Sequence, residues 1–326
     1  MTSATGTSIT AAAAGSSLAS TINYYYSRYW QEYGDPRLNK SVLMSGGPWQ
    51  MLAITMTYLV AVTWFGPYIM RKRKPMDNLI WPIRIYNAVM VIFNTYLFLN
   101  FSYKLRWGLD CWGCGKSMQR FDQAGLILWE LTLLSRYFDF FDSLFFVCRK
   151  KFSHLSVLHV SHHTIVPIIV WFAGKFEPTP VVVFAGYINL PIHMIMYSYY
   201  GLSTFPKMRK FLWWKKYLTT IQIIQFMIDL VHSLQVFYFP TCKYHPITYV
   251  QTAFSLTFLY LFLQFYLRSY ISRGKSSTTT ATTSTTATTT TKATTCAGTA
   301  AAHATRNGTV AIEQLHVKAQ DAKKFD

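Results

Sequence analysis

The chain has 326 residues, of which 51% are hydrophobic, 17% aromatic and only 13% charged. That charged fraction is about half of the roughly 25% found in soluble domains, and the apolar residues form blocks of about 20, the length that crosses a bilayer, so composition excludes a soluble globular protein. The net charge is +18. The basic residues lie at the ends of the apolar blocks and form no separate basic domain, which favours binding to anionic lipid headgroups over binding to nucleic acid.

Seven apolar blocks predict an all-α, polytopic membrane protein with seven transmembrane helices. The blocks span approximately residues 48–70, 83–103, 122–147, 157–174, 180–203, 217–239 and 247–271. They form a predicted membrane domain over residues 46–272. A polar segment, residues 1–45, precedes it, and a Thr/Ala-rich tail, residues 273–326, follows it. The composition of the tail predicts disorder.

Loops rich in lysine and arginine alternate with loops that are poorer in them. The rich loops follow the first, third and fifth blocks, and the last of these contains Lys207, Arg209, Lys210, Lys215 and Lys216. The positive-inside rule places these loops in the cytosol, the N-terminus in the lumen and the C-terminus in the cytosol. The same basic loops would suit the phosphates of a CoA ester, and composition does not separate this role from lipid binding.

Two features of the loops depend on this orientation. Cys111 and Cys242 both fall in lumenal loops, where an oxidising compartment permits a disulfide. We predict that they are paired, with Cys114–Cys242 as the alternative because Cys114 is only three residues from Cys111. The sequon at Asn39 lies in the polar segment on the lumenal side, which predicts glycosylation there.

Polar side chains recur inside four of the apolar blocks, where a charged residue costs about 2.5–3.5 kcal/mol to insert. In the third block they are Arg136, Asp139, Asp142 and Ser143; in the fourth, His159, His162 and His163; in the fifth, Asn189, His193, Tyr197 and Tyr200; in the sixth, Thr219, Gln222 and Gln225. Spacings of three and four residues put the members of each set on one helical face, with Asp142 adjacent to that of its own set. The polar residues of the third block would also suit an ion pair between helices, and those of the sixth block would suit interhelical hydrogen bonds.

All four sets fall near the cytosolic ends of their blocks. This common depth predicts one site, entered from the cytosol and set among apolar helices that could hold a lipid chain.

The four sets, in this order, resemble the motifs of the ELO family of very-long-chain fatty acid elongases. The histidine box reads Leu158-His159-Val160-Ser161-His162-His163-Thr164, and the sets around His193 and Gln225 match two further motifs. The resemblance covers roughly residues 35–272. One motif departs from the family, because the usual Lys-x-x-Glu-x-x-Asp-Thr is here Arg136 to Ser143 with Asp139 and Asp142 as the acids.

The resemblance implies six of the seven helices around an acyl tunnel, and a 3-oxoacyl-CoA synthase that condenses acyl-CoA with malonyl-CoA without a metal or other cofactor. It implies a ping-pong reaction in which His162 takes the acyl group and His193 stands beside it. Asp139 and Asp142 would fix imidazole tautomers, and His159 and His163 would hydrogen-bond the substrates. We assign substrate binding to a further set: Arg136, Asn189, Tyr197, Tyr200, Gln222, Gln225, Lys215 and Lys216.

Residence in the endoplasmic reticulum membrane is predicted from the C-terminus, where Lys323 and Lys324 resemble a dilysine retrieval signal. There the lipid bilayer and the reductases and dehydratase of the elongation cycle would be partners. The sequence leaves open whether the protein forms a homo-oligomer. The rival functions are a membrane di-iron desaturase or hydroxylase, which also uses histidine boxes, and a transporter. Cys148 is the rival nucleophile.

Overall fold

The computed structural model describes residues 18–239 and 246–271, and every regular element in these ranges is a helix. The chain divides into a unit of Met1–Tyr270 and a second of Ile271–Asp326, and we describe the first by itself. Cys242, Lys323 and Lys324 lie outside the described residues, as does the tail. The all-α prediction is confirmed for the described part.

Eight principal helices follow the N-terminal segment. We label them α1 to α8 in chain order: Trp49–Met70, Asp77–Lys104, Gln123–Phe138, Phe140–Cys148, Val157–Phe176, Pro180–Ser203, Lys215–Ser233 and Pro246–Ile271. Among the described residues, α1, α2, α5, α6 and α8 are long and apolar enough to cross a membrane. The protein is thus a multi-pass membrane protein.

The third and sixth predicted blocks differ from the other five. The third is divided at Asp139 into α3 and α4, so neither piece reaches the length of a single span. The sixth corresponds to α7, which begins with two lysines and contains Asp229 and His232, residues that lower its mean hydropathy. Polar residues mark both differences: Asp139 lies at the break, and Asp229 and His232 lie within α7.

Packing between helices places the polar residues around one region. α2 lies along α6, α7 along α8, and α3 against both α2 and α5, while α5 also meets α1 and α8. Large apolar side chains fill these contacts, with Leu97, Leu133 and Trp171 at most 1% exposed. The polar faces of α3, α5, α6 and α7 consequently point toward one another.

The N-terminal segment packs onto the end of α5. It contains short helices at Leu18–Asn23, Tyr24–Arg28, Tyr29–Glu32 and Pro36–Lys40. The backbone N–H of Asp35 donates to the carbonyl of Lys175 over 2.8 Å, and the Lys175 ammonium donates to the carbonyl of Met44 over 3.1 Å. Burial alone would raise the pKa of the Asp35 carboxyl, but the hydrogen bonds and charge of Arg37 hold it below its ordinary value.

The prediction that Cys111 forms a disulfide with Cys242 is wrong for Cys111. Cys111 is a free thiol with no exposed surface, and its neighbour Cys114 is disulfide-bonded, to a partner outside the described residues. The difference has a local cause. The Cys111 carbonyl accepts a hydrogen bond from His232 Nε2 at 2.9 Å, which holds this residue inward, whereas Cys114 is exposed between two glycines of positive φ.

We expect Cys111 to resist thiol alkylation in the folded protein. Burial, with the charge of Asp110, raises the pKa of its thiol to about 12, so almost no reactive thiolate exists near pH 8. Maleimide labelling followed by peptide mapping should find Cys111 modified only after unfolding and Cys114 only after reduction. Recovery of Cys111 in a disulfide-linked peptide from the unreduced native protein would contradict this assignment.

Candidate active site

The interruption between α3 and α4 organises the site. Asp139 stands between the two helices, and its backbone N–H still donates to the Ser135 carbonyl over 3.1 Å. The break leaves the Phe138 carbonyl to accept from the Tyr86 hydroxyl over 3.1 Å. Asp139 is only 2% exposed, so the polar group at the break faces the interior.

Arg136 forms the hub of the site and is paired with Asp139 at 3.2 Å, each side chain being 3% exposed. Its Nη1 donates to Asn189 Oδ1 at 3.0 Å and lies 3.2 Å from His193 Nε2. Its Nη2 donates to Asn94 Oδ1 at 3.3 Å. One guanidinium therefore joins α3 to α2 and α6, and because arginine has no acceptor, His193 must present a lone pair to it.

Tyr197 lies between the two acids of the site. Its hydroxyl contacts Asp139 Oδ1 at 2.7 Å and Asp142 Oδ2 at 2.8 Å. A phenol carries one hydrogen, so it donates to one carboxylate at a time. Tyr197 thereby connects Asp142 to Asp139, the acid that is paired with Arg136.

The histidine box occupies the first two turns of α5. Ser156 begins this helix as its N-cap, and its hydroxyl accepts from the His159 backbone N–H over 3.2 Å. His159 Nε2 lies 2.8 Å from the Ser143 hydroxyl, which lies 3.0 Å from the Tyr58 hydroxyl. Ser143 thus ties the box to α4 and α1, and this contact fixes the orientation of the His159 ring.

His162 and His163 are placed differently from His159. His163 lies between its neighbours, with ring centroids 4.2 Å from His159 and 5.6 Å from His162. His162 packs edge-on against Phe258 at 5.3 Å. Among the described residues no side chain or backbone group hydrogen-bonds the His162 ring, which leaves one ring nitrogen free to react.

A largely apolar cavity begins at these groups and is enclosed by side chains from α3, α5, α6, α7 and α8. It contains about 840 Å³ of empty space, counting the part that is open to its surroundings. Arg136, His162, Asn189 and Gln225 line it, and the remaining wall consists mainly of apolar side chains such as Val166, Val183, Phe226 and Phe254. His162 is the only histidine among the described residues that line this cavity.

Most of the predicted site residues are brought together. Contacts connect a continuous set: Arg136, Asp139, Asp142, Asn189, His193, Tyr197 and Gln225. Tyr200 is more distant, with its ring centroid 6.4 Å from that of Tyr197. The side-chain amide of Gln222 donates to the sulfur of Met196 at 4.0 Å, and within the described part of the chain it has no hydrogen bond to this set.

The remaining predicted residues lie apart from this set. Lys215 and Lys216 are exposed at the start of α7, and Asn39 is exposed in the N-terminal segment. Cys148 is half-buried and does not line the cavity.

Three groups in the site were missed by sequence reasoning: Asn94, Tyr58 and the pair Asp229 and Gln251. Asn94 is wholly buried in α2 and accepts from Arg136, so a lone asparagine inside an apolar block was the available signal. Tyr58 was hidden because tyrosine is common at membrane interfaces. Asp229 was visible as an acid in a membrane helix, and it lines the cavity with Gln251.

Whether a metal ion could bind here depends on how the possible ligand side chains are arranged. Within residues 18–239 and 246–271, no group of three or more His, Cys, Asp or Glu side chains is arranged to hold a metal ion. The histidine rings instead contact one another, a serine hydroxyl and an arginine. The metal-free reaction stays a prediction.

Comparisons of the sequence with known proteins identify its family. The sequence profile of the ELO family, described as the GNS1/SUR4 family, matches residues 43–278, which is more than half of the chain. The chain belongs to the ELO family. Its ELO relatives include the very long chain fatty acid elongase 7 of Rattus norvegicus, 36% identical over 74% of this chain and 86% of that protein.

Two further ELO relatives show how much of the chain is shared. The very long chain fatty acid elongase 7 of Drosophila melanogaster is 38% identical over 64% of each chain. The very long chain fatty acid elongase 1 of Homo sapiens is 34% identical over 65% of this chain and 77% of that protein. The match spans less than two thirds of the Drosophila relative's own length.

We expect Ser143→Ala to destabilise the protein by about 1–3 kcal/mol, the usual cost of leaving buried partners unsatisfied. The Ser143 side chain is wholly buried, and its loss leaves Tyr58 and His159 without their shared hydroxyl. Ser198→Ala is the matched control, because that hydroxyl only returns to the Met194 carbonyl of its own helix. Equal unfolding free energies for the two variants would contradict the claim that Ser143 connects the histidine box to α4 and α1.

Proposed function

We propose that this protein is a fatty acid elongase that condenses a long-chain acyl-CoA with malonyl-CoA to give a 3-oxoacyl-CoA, CO2 and free CoA. The observation that carries the proposal is the cavity, which has an apolar wall and begins at His162, Arg136, Asn189 and Gln225. Such a cavity suits a substrate with a long hydrocarbon chain and one reactive polar end. Relatives named as elongases support the same reaction.

His162 is the proposed nucleophile. It combines two properties that no other histidine of the site combines: it lines the cavity, and its ring is free of hydrogen bonds from the described residues. His159 is engaged with Ser143, and His193 with Arg136. A neutral imidazole is a competent nucleophile near pH 7, since its ordinary pKa is about 6.5.

The first step transfers the acyl group to the protein. A ring nitrogen of His162 attacks the thioester carbonyl carbon, a C–N bond forms, the C–S bond breaks, and the CoA thiolate leaves and takes a proton from solvent. The product is an acyl-imidazolium. We assign the stabilisation of its positive charge to the carboxylates of Asp139 and Asp142.

The second step uses malonyl-CoA. Its terminal C–C bond breaks, CO2 leaves, and the electron pair stays on the carbon next to the thioester. That carbon attacks the acyl carbon, the C–N bond breaks, and His162 returns neutral. An apolar surrounding favours the loss of a charged carboxylate, and His193 with its Arg136 donor would position the malonyl thioester.

The rest of the predicted arrangement belongs to this proposal. α3 with α4 would form a third span and α7 a sixth, giving seven transmembrane helices, six of which surround an acyl tunnel continuous with the cavity. Lys215 and Lys216, exposed at the start of α7, would attract the CoA phosphates. The N-terminus would be lumenal and the C-terminus cytosolic, in the endoplasmic reticulum, where Lys323 and Lys324 act as a retrieval address.

Partners follow from the reaction. A 3-oxoacyl-CoA must be reduced, dehydrated and reduced again to complete a two-carbon extension, so the reductases and dehydratase of the cycle would act on the product. Cys242 is the proposed partner of Cys114 in a disulfide between two lumenal loops.

The test is to incubate the purified protein with acyl-CoA alone. Free CoA should appear in an amount equal to the protein, and the intact mass should rise by one acyl group. His162→Ala should abolish both signals, because the attacking nitrogen is gone. Chelators should leave both intact, which separates this reaction from that of a di-iron desaturase.

Cys148→Ala is the matched control, since Cys148 is the rival nucleophile and does not line the cavity. It should form the adduct as the unchanged protein does. Loss of the adduct in Cys148→Ala, or release of CoA only after malonyl-CoA is added, would contradict the acyl-histidine step.

A further inference from the structure

A buried carboxyl in the cavity wall has no part in the proposed reaction. Asp229 is 2% exposed and lies on α7 one turn beyond Gln225, which is about 6 Å farther along the helix axis. Both residues line the cavity. Because Gln225 is joined to Arg136 through Asn189, Asp229 stands beyond the reacting end, beside the hydrocarbon part of a bound chain.

The partners of Asp229 come from α8. Ser255 donates to Oδ2, and Gln251 Nε2 donates to Oδ1 over a long 3.3 Å. Within the described residues, no lysine, arginine or histidine forms an ion pair with it. A carboxylate has about four lone-pair positions, so these two donors leave part of its accepting capacity unused.

A purely structural role explains only part of this arrangement. Hydrogen bonding between α7 and α8 accounts for Ser255, which does not line the cavity. It does not require the carboxyl and the carboxamide to line the cavity, where their neighbours in the wall include Phe226, Phe254 and Ile247. A plain methylene chain would leave the unused accepting capacity of the Asp229 carboxylate without a partner, which is unfavourable.

We propose that Asp229 and Gln251 form a hydrogen-bonding subsite for a hydroxyl group carried partway along the acyl chain. The inference rests on the proposed elongase function and specifies its substrate class as hydroxylated fatty acyl chains. The hydroxyl donates to the Asp229 carboxylate and accepts from the Gln251 amide. The depth of Asp229 selects the carbon that bears the hydroxyl, so the preference falls off when the group moves along the chain.

The primary test measures binding and does not need turnover. Equal-length acyl-CoAs, each with one hydroxyl at a different carbon, are compared with the unsubstituted acyl-CoA by ligand-dependent thermal stabilisation of the purified His162→Ala protein, which cannot take up the acyl group. One position, or two adjacent ones, should bind at least about 10-fold more tightly than the others, as expected for a hydrogen bond to a charged group. A flat profile across positions would overturn the proposal.

Variants identify the group responsible. Asp229→Leu should abolish the positional preference, and Asp229→Asn, which keeps one accepting oxygen, should retain a weaker one. Ser255→Ala is the matched control, because it removes a partner of Asp229 that does not line the cavity, and the preference should survive. An unchanged profile in both Asp229 variants would assign the selectivity elsewhere and refute the subsite.

The two proposals fail in different ways. Elongation of the unsubstituted acyl-CoA with malonyl-CoA but a flat binding profile refutes the hydroxyl subsite and leaves the elongase function standing. A sharp profile without condensation of any acyl-CoA supports the subsite as a binding site and refutes the elongase function.

Discussion

The site depends on one ion pair that is buried inside membrane helices. Arg136 and Asp139 are 3.2 Å apart and almost wholly excluded from the surface. A lone charge at this depth would be costly, and removing one partner of a buried pair typically costs 3–5 kcal/mol. The pair therefore persists only because the guanidinium and the carboxylate satisfy each other and the neighbours that both contact.

The other polar groups are arranged around this pair. The guanidinium donates to Asn94 and Asn189 and faces His193, while the Asp139 carboxylate accepts from Tyr197. Three helices, α2, α3 and α6, are thereby joined through two side chains. In the proposed reaction the nucleophile is a histidine outside this network, because His162 lines the cavity and no described residue hydrogen-bonds its ring. In that proposal the network sets the charge and position of the surroundings, and the His162 imidazole supplies the nucleophile.

Helical spacing was sufficient to predict the membership of most of the site. Residues three and four apart share a face, and the sets around Asp139, His162 and His193 indeed converge. Spacing within one helix carries no information about a break in that helix, so the division at Asp139 was not predictable. Asn94 was missed for a related reason. It is a single polar residue in its helix, so it forms no set at helical spacing that could be recognised. Cys111 and Cys114 differ in exposure through glycine turns, which sequence separation does not reveal.

The most direct measurement is a double-mutant cycle on the unfolding free energy with Arg136→Met, Asp139→Leu and the two combined. Each single change leaves a buried charge without its partner and should cost about 3–5 kcal/mol. The combined change removes both charges and should cost less than the sum by about 2 kcal/mol or more. Additivity within about 0.5 kcal/mol would contradict the claim that this ion pair is the interaction on which the site depends.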